Sequence, residues 1–346
     1  MFATCNPLSS HLRPEWRSHP AHGTAHPAGT VHYRGGVANK TSKRPASVPT
    51  TDGINPRQPC PCGSGRRYKA CHGSGDAENL IVARPFAGLA AETELIALRE
   101  FVPSATAPFF LQQGDAPKIT LGTVLPAAAA ALTRADGSIL LGLQVQTHSG
   151  DLSRDLGAAL EWALQAGPSS VLSVVGPATA GNRLQDLIVD DDLDVTVHDT
   201  FQWWLEEAAE PGSEVALTLE RANAAILPTA KIAGLPGAYW VDAGAKAHLR
   251  WVRREEESTL MAGLARLAAT GELDLGDGSR YVGSFRAHGR LVPVWDLDRD
   301  AHPSEWAAPT LAFEERLQRA LAVDEPLNVA ERRARDGILG RQFTLR

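Results

Sequence analysis

The sequence predicts an α+β protein in three parts: a disordered N-terminal arm, a small cysteine-rich knuckle and a mixed α/β body. Residues 1–54 are rich in Pro, Gly, Ser, Thr and His and show no hydrophobic periodicity, which is typical of disorder. Three of the four cysteines lie within residues 60–71. From residue 80 to 346, segments with helical periodicity alternate with short apolar runs, which indicates a mixed body.

Length and hydropathy set the outer limits. A chain of 346 residues can bury the core of one large domain or two ordinary domains. No run of 18 apolar residues occurs and the first residues lack an apolar signal segment, so we expect no membrane span and a cytoplasmic protein. No GxxxxGK[ST] motif occurs, which excludes a motor of the P-loop type.

The arm is basic and the rest of the chain is acidic. Residues 1–73 contain ten Lys or Arg and two acids, a charge of about +8, so the remainder must carry about −14 to give the total of −6. This separation indicates an anionic partner or simply a solvated tail. The string starting at Val37 is typical of a bacterial protein start, and residues 1–36 are interpreted as an extension of the gene model.

The cysteine-rich segment, residues 55–75, contains the ligand pattern Cys60-x-Cys62, eight residues, then Cys71-His72. Three thiolates and one imidazole are the donors of a closed, tetrahedral zinc site, and the segment has too few apolar side chains for a core of its own. The alternatives are unliganded thiols or a Cys60–Cys62 disulfide, although such a bridge is strained and the chain shows no oxidising address.

The string PCPCGSGRRYKACHG, residues 59–73, closely resembles the SEC-C motif, the zinc knuckle at the end of the translocation ATPase SecA. The resemblance implies zinc ligands at Cys60, Cys62, Cys71 and His72. In SecA the knuckle contacts a chaperone and the ribosome. It therefore implies a partner-binding face here, formed by Arg66, Arg67, Tyr68 and Lys69. The layout of a knuckle before an alanine-rich body is similar to an actinobacterial family of unknown function, which implies no activity.

In the body, periodicity and turn residues predict the order of elements. The predicted helices cover 89–101, 151–166, 182–188, 200–210, 214–226, 255–270, 310–322 and 328–337. The predicted strands cover 118–125, 171–175 (buried), 193–197 and a pair at 238–243 and 247–253. Two hairpins are predicted, with turns at Asp136-Gly137 and His288-Gly289. Each hairpin follows a helix and contains Arg-Ala-x-Gly, which suggests an internal duplication, although chance similarity explains it equally well.

Several weaker patterns carry chemistry in principle. The turn over residues 176–183 follows a strand and opens a helix, as a phosphate site does, but it lacks the lysine and the glycine spacing of such sites. Asp190, Asp191 and Asp192 supply the oxygens that divalent cations prefer. His198 beside Asp199 has the composition of a His–carboxylate pair. An ordinary connecting loop is the favoured interpretation of the turn, and a solvated loop is favoured for the aspartates. No nucleophile motif accompanies the His198–Asp199 pair.

The leading functional hypothesis is a zinc-binding, non-catalytic protein whose knuckle docks onto a protein or ribosomal partner. One alternative is an enzyme with a pocket in the body that the knuckle recruits. Another is an RNA-binding protein that uses the basic arm and the arginines at 332, 333, 335 and 341.

Overall fold

The computed structural model describes residues 67, 81–112, 114, 117–176 and 181–341. In that part of the chain, seven α-helices and two β-sheets form, which confirms the predicted α+β class. The arm predicted over residues 1–54 lies outside the described residues. None of the described helices is long and apolar enough to cross a membrane.

The first sheet has six short strands in the order β5-β3-β4-β2-β1-β6. Neighbouring strands are antiparallel except β2 and β4, which are parallel and place Gly122 beside Gly142. Their bounds are β1 Ala105–Phe109, β2 Ile119–Gly122, β3 Ala131–Thr133, β4 Ile139–Gly142, β5 Val171–Leu172 and β6 Thr196–Val197.

The predicted hairpin at Asp136-Gly137 is confirmed as the connection between β3 and β4. The Ser138 amide donates to Asp136 Oδ1 over 2.8 Å, and Gly137 adopts a φ of +83°, which glycine reaches without steric cost. Local turn chemistry therefore sets the register of these two strands.

Four helices accompany the first sheet, namely α1 Glu92–Glu100, α2 Leu152–Gln165, α3 Leu184–Leu187 and α4 Glu214–Asn223. Four leucines recur at four-residue spacing in α2; Leu152, Leu156 and Leu160 are buried in the core, whereas the last, Leu164, is 38% exposed. The helix ends at Gln165, ahead of Gly167-Pro168.

The second sheet is antiparallel in the order β10-β11-β9-β8-β7, so β9 pairs with β11 and not with β10. Its strands are β7 Thr229–Lys231, β8 Ala238–Asp242, β9 Ala247–Trp251, β10 Ser279–Ala287 and β11 Arg290–Leu297. The predicted pairing of 238–243 with 247–253 and the hairpin at His288-Gly289 are confirmed. Both turn residues have positive φ, 45° and 75°, as a two-residue turn of type I′ requires.

The second sheet separates two hydrophobic cores. Tyr239 and Val241 of β8 point into the core shared with α1 and the first sheet, whereas Trp240 between them points to the opposite side. There the sheet packs against helices α5 Glu257–Thr270, α6 Ala307–Leu321 and α7 Val329–Leu339. The period-2 alternation of a strand thus supplies both cores at once.

Two local expectations are wrong. Residues 171–175 form only a two-residue edge strand, and Val171 is 61% exposed, because no strand lies beyond it. Residues 200–210 form a 3₁₀ turn at Gln202–Trp204 instead of a helix. The reason is tertiary, because the Trp203 indole donates to Ser104 and the Trp204 indole donates to the Val124 carbonyl, both next to strands of the first sheet. The helix-then-hairpin resemblance also does not extend to topology, since one sheet is mixed and the other antiparallel.

Candidate functional site

The expected metal ligands Cys60, Cys62, Cys71 and His72 lie outside the described residues, as do Arg66, Tyr68 and Lys69. Arg67 is described, and its side chain is exposed to solvent. The donor chemistry of the segment is nevertheless fixed by its residue types. Three thiolates and a neutral imidazole match the ligand set of structural zinc sites. The net charge of three thiolates, a neutral imidazole and Zn²⁺ is −1, and basic residues next to the ligands in the sequence offset it.

The acidic run in the body is divided among separate contacts. Asp190 Oδ1 accepts the Ala90 amide over 2.6 Å, and Asp192 pairs with Arg254 over 3.2 Å. Asp191 accepts the amide of its own neighbour, Asp192. In the described part of the chain, no group of three or more His, Cys, Asp or Glu is placed to hold a metal ion. The run therefore fastens a loop to its surroundings.

The turn before α3 is likewise occupied by protein groups. Arg183 donates to Asp151 over 2.9 Å, and Arg154 donates to the Gly181 carbonyl over 2.5 Å. Asn182 donates to Glu161 over 2.7 Å. Residues 177–180 of this turn lie outside the described residues. The cations beside the turn are already paired, which favours a structural connection over a phosphate site.

His198 is bonded to a hydroxyl rather than to Asp199. Its Nε2 lies 2.8 Å from Thr106 Oγ1 on the neighbouring strand, and its ring lies 6.1 Å from that of Trp203. Burial lowers the pKa of His198, and the charge of Asp199 only partly opposes this. His198 thus joins β6 to β1 as a packed imidazole, and its hydrogen bond goes to Thr106 instead of Asp199.

Two buried carboxylates on α1 were missed by the sequence analysis. Glu92 accepts from Arg84 over 2.6 Å and from Arg290 over 2.9 Å. Glu94 accepts from the Tyr239 hydroxyl over 2.5 Å and from Lys231 over 2.9 Å. Burial, followed by the charge of Glu94, raises the pKa of Tyr239 well above its ordinary value. Each carboxylate has its cation, so the pair joins α1 to the second sheet.

A cleft of about 240 Å³ lies beside a second buried ion cluster. Arg253 lies over the Trp251 ring at 4.2 Å and donates to Glu255 and Glu314 on either side. Burial opposes the charge of Arg253, but the two carboxylates outweigh it and raise the pKa of the guanidinium. Because this cation is doubly paired, it is not available for an anionic substrate.

A smaller cavity, of about 10 Å³, lies between Arg99 and Asp155. Asp155 Oδ2 accepts the Ser149 amide over 2.7 Å, while Oδ1 has no hydrogen-bond partner among the described residues. This volume holds about one water molecule and is otherwise lined by aliphatic side chains. Neither cavity brings together a nucleophile and a free base.

The arginines near the C-terminus lie on or after α7. Arg335 pairs with Asp336 over 3.1 Å, and Arg332 donates to the Leu327 carbonyl. Glu331 also lies in the first turn of the helix. Helix α7 therefore carries both basic and acidic side chains rather than a purely basic surface.

Comparison with known proteins divides the chain between residues 74 and 85. Residues 85–346 match the model of a family of unknown function, DUF5926. Residues 57–74 match the model of the SEC-C motif. No curated protein and no solved structure matches the chain.

Proposed function

We propose that this chain, which belongs to the DUF5926 family of unknown function, is a zinc-dependent docking protein. The chain carries a SEC-C motif before the DUF5926 domain. The observation that supports this role is the SEC-C match at residues 57–74, which contains the complete Cys-x-Cys…Cys-His ligand set. In this proposal residues 1–54 are a basic arm, 55–75 the knuckle and 80–346 the body, and the protein acts in the cytoplasm.

Zinc gives the knuckle its fold. Cys60, Cys62, Cys71 and His72 would hold the ion, which supplies cross-linking of two short loops. Structural zinc sites contribute about 10–16 kcal/mol of apparent binding energy at neutral pH, enough to order a segment without a hydrophobic core. Gly63 and Gly65 let backbone N–H groups approach the thiolates and stabilise their charge.

The docking face consists of Arg66, Arg67, Tyr68 and Lys69. Three cations next to one aromatic residue in the sequence suit an anionic surface with an accessible apolar patch. The exposure of Arg67 supports this assignment. The proposed partner is a protein or a ribosomal surface.

The first test concerns the metal. Gently purified protein should contain about one zinc per chain by elemental analysis, as a four-ligand site requires. Cys71→Ser should lose the metal and become protease-sensitive within residues 55–75, while the body keeps its unfolding midpoint, because no ligand comes from it. Wild-type protein without zinc would refute the metal assignment. Unfolding of the whole variant would refute the boundary between knuckle and body.

The second test concerns docking. Arg66→Glu/Arg67→Glu should keep its zinc but co-sediment less with ribosomes, and the loss should be larger at low salt because exposed charges are screened by ions. The matched control is Lys40→Glu/Lys43→Glu, which changes the net charge equally in the arm. Equal recovery of both variants and wild type would mean that this face does not dock.

The same experiment distinguishes the RNA-binding alternative. If the control variant in the arm loses as much association as the knuckle variant, and binding to protein-free ribosomal RNA has the same steep salt dependence, the arm binds RNA by counterion release and the knuckle is not specific.

A further inference from the structure

No side chain of helix α4 is fully buried, although Leu219 is partly buried. Ser213 caps its start by accepting the Ala216 amide over 3.1 Å. Val215 is 51% exposed and Leu217 is 46% exposed. A short helix is marginal in water unless an apolar face packs. An apolar helix that remains open to solvent indicates a surface available to another molecule.

The open face of α4 forms one wall of a groove of about 380 Å³. Val215, Thr218 and Leu219 line this wall at the i, i+3, i+4 spacing that places side chains on one helix face. Trp204 and Pro126, which lie outside α4, also line the groove. We call this the α4 groove; its lining residues are Pro126, Trp204, Leu205, Glu214, Val215, Thr218 and Leu219.

The α4 groove is held in shape by contacts outside it. The Trp204 ring stacks on Phe201 at 4.4 Å, and its Nε1 donates to the Val124 carbonyl over 2.8 Å. The Phe201 amide donates to Asn223 Oδ1 over 2.8 Å, which fastens the far end of α4 to the same aromatic turn. A preformed apolar groove loses less conformational entropy on binding than one that must assemble.

The chain segment that supplies Trp204, Leu205 and the α4 side of the groove is strongly acidic. Residues 184–228 contain eleven Asp or Glu and only one Arg or Lys, Arg221. Glu214 lines the groove, and Glu206 and Glu207 directly follow Leu205 of its wall. Seven of the eleven acids form neither an ion pair nor a hydrogen bond through their carboxylates with any described residue: Asp194, Asp199, Glu206, Glu207, Glu210, Glu214 and Glu220.

We propose that the α4 groove binds a basic polypeptide segment that inserts an apolar side chain between Lys or Arg residues. The apolar lining favours the anchor, and the unpaired carboxylates favour the flanking cations. The same charge disfavours nucleic acid and anionic lipid, whose phosphates the acids would repel. This site is separate from the knuckle and of opposite charge, so it adds a second binding surface to the proposed function.

The test uses the full-length, zinc-loaded chain and a labelled helical peptide of Lys and Leu, about four turns long, followed by fluorescence anisotropy. Leu219→Ser and Val215→Ser should each weaken binding about tenfold, the cost of losing one good apolar contact. Val329→Ser is the matched control, because Val329 is a 75% exposed valine in the first turn of α7. Circular dichroism checks that every variant keeps its helices.

Charge is tested in the same assay. Glu206→Lys/Glu207→Lys should weaken the peptide several-fold at low salt and less at high salt, whereas Asp324→Lys/Glu325→Lys, an equal change on a distant exposed turn, should not. A peptide with Glu in place of Lys should not bind. Equal affinities for the groove variants and their controls would overturn the proposal, with the knuckle and its zinc unaffected.

Two further outcomes concern the natural occupant. If Lys40→Glu/Lys43→Glu/Arg44→Glu raises peptide affinity above wild type, the basic segment that occupies the α4 groove is the arm of the same chain, which supports the proposal. A second copy of the chain would overturn it. If wild-type protein is a dimer by sedimentation velocity and Leu219→Ser is a monomer, a second copy covers the α4 groove.

Discussion

The two sheets of the body have different cores. The first sheet has strands of two to five residues, and its core is mainly aliphatic and alanine-rich. The second sheet has strands of up to nine residues, and its outer core with α5, α6 and α7 contains all four buried tryptophans of the described chain. The core at the first sheet depends on the close approach of backbone segments, whereas the outer core at the second sheet depends on large aromatic side chains.

Glycines make the close approaches in the first half possible. A Cβ at Gly122 would overlap the Trp203 ring, and one at Gly142 would overlap the Ala129 carbonyl oxygen. Gly122 and Gly142 are partners in the parallel pair β2–β4, so two neighbouring strands have no side chain at the same position of the ladder. A core of this kind has little tolerance for added volume, whereas an aromatic core is most sensitive to volume removed.

The largest effect is expected in the second sheet. Trp295 is fully buried, donates from Nε1 to the Leu273 carbonyl over 2.9 Å and packs edge-on against Phe313 at 5.1 Å. Trp295→Ala should lower the free energy of unfolding by about 3–5 kcal/mol, measured by denaturant titration. Trp295→Phe should lose distinctly less because it retains an aromatic ring. A loss under about 1 kcal/mol for the alanine variant would refute the aromatic-core interpretation.

The parts of the fold that the sequence predicted are those with local causes. Both hairpins carry positive-φ turn residues between apolar runs, and α2 and α5 carry leucine stripes within one segment. The burial of Glu92 could not be predicted in this way, because its partner Arg290 lies 198 positions away. A glutamate in the first turn of a helix normally faces solvent, and only the tertiary fold brings the second cation to it.

The same distinction applies to the candidate sites. The knuckle ligands lie within thirteen residues, 60–72, so their spacing was readable directly. The α4 groove combines Pro126 with Trp204 and Leu219, which no sequence window contains. The acidic composition of residues 184–228 can be read from the sequence. The prediction of a helix over 200–210 is wrong, and because Trp204 and Leu205 of this segment line the groove, the sequence did not indicate the groove.

An intermediate effect is expected from added volume in the first half. A Cβ at Gly157 in α2 would overlap the Asn182 carbonyl oxygen, which is backbone and cannot rotate away. Gly157→Ala should lower the free energy of unfolding by about 1–3 kcal/mol despite the better helix propensity of alanine. Gly337→Ala in α7 is the control, because open space surrounds that position and alanine should stabilise it by roughly 0.5–1 kcal/mol. Equal gains at both positions would refute the close-approach argument.

The smallest effect is expected at the contact between helix α1 and the β10–β11 hairpin of the second sheet. His288 at the tip of the second hairpin contacts Glu100 at the end of α1, with Nε2 2.7 Å from Oε1. This hydrogen bond, against partial burial, lowers the pKa of Glu100 from its ordinary value of 4.5. A carboxyl whose pKa is lower in the folded state stabilises the fold above its ordinary pKa, and that contribution is lost as the pH falls through the lowered value.

Glu100→Gln should therefore cost below about 1 kcal/mol at neutral pH, the usual range for a partly exposed pair, and the difference from wild type should shrink below about pH 4. Denaturant titrations at neutral and acidic pH measure both quantities. Glu315→Gln, an exposed acid on α6 without an ion pair among the described residues, should show no such change. A Glu100→Gln difference that grew on acidification would mean that the charged carboxylate destabilises this contact. The two sheets would then be held together by the buried Glu92 and Glu94 contacts, without a contribution from the hairpin tip.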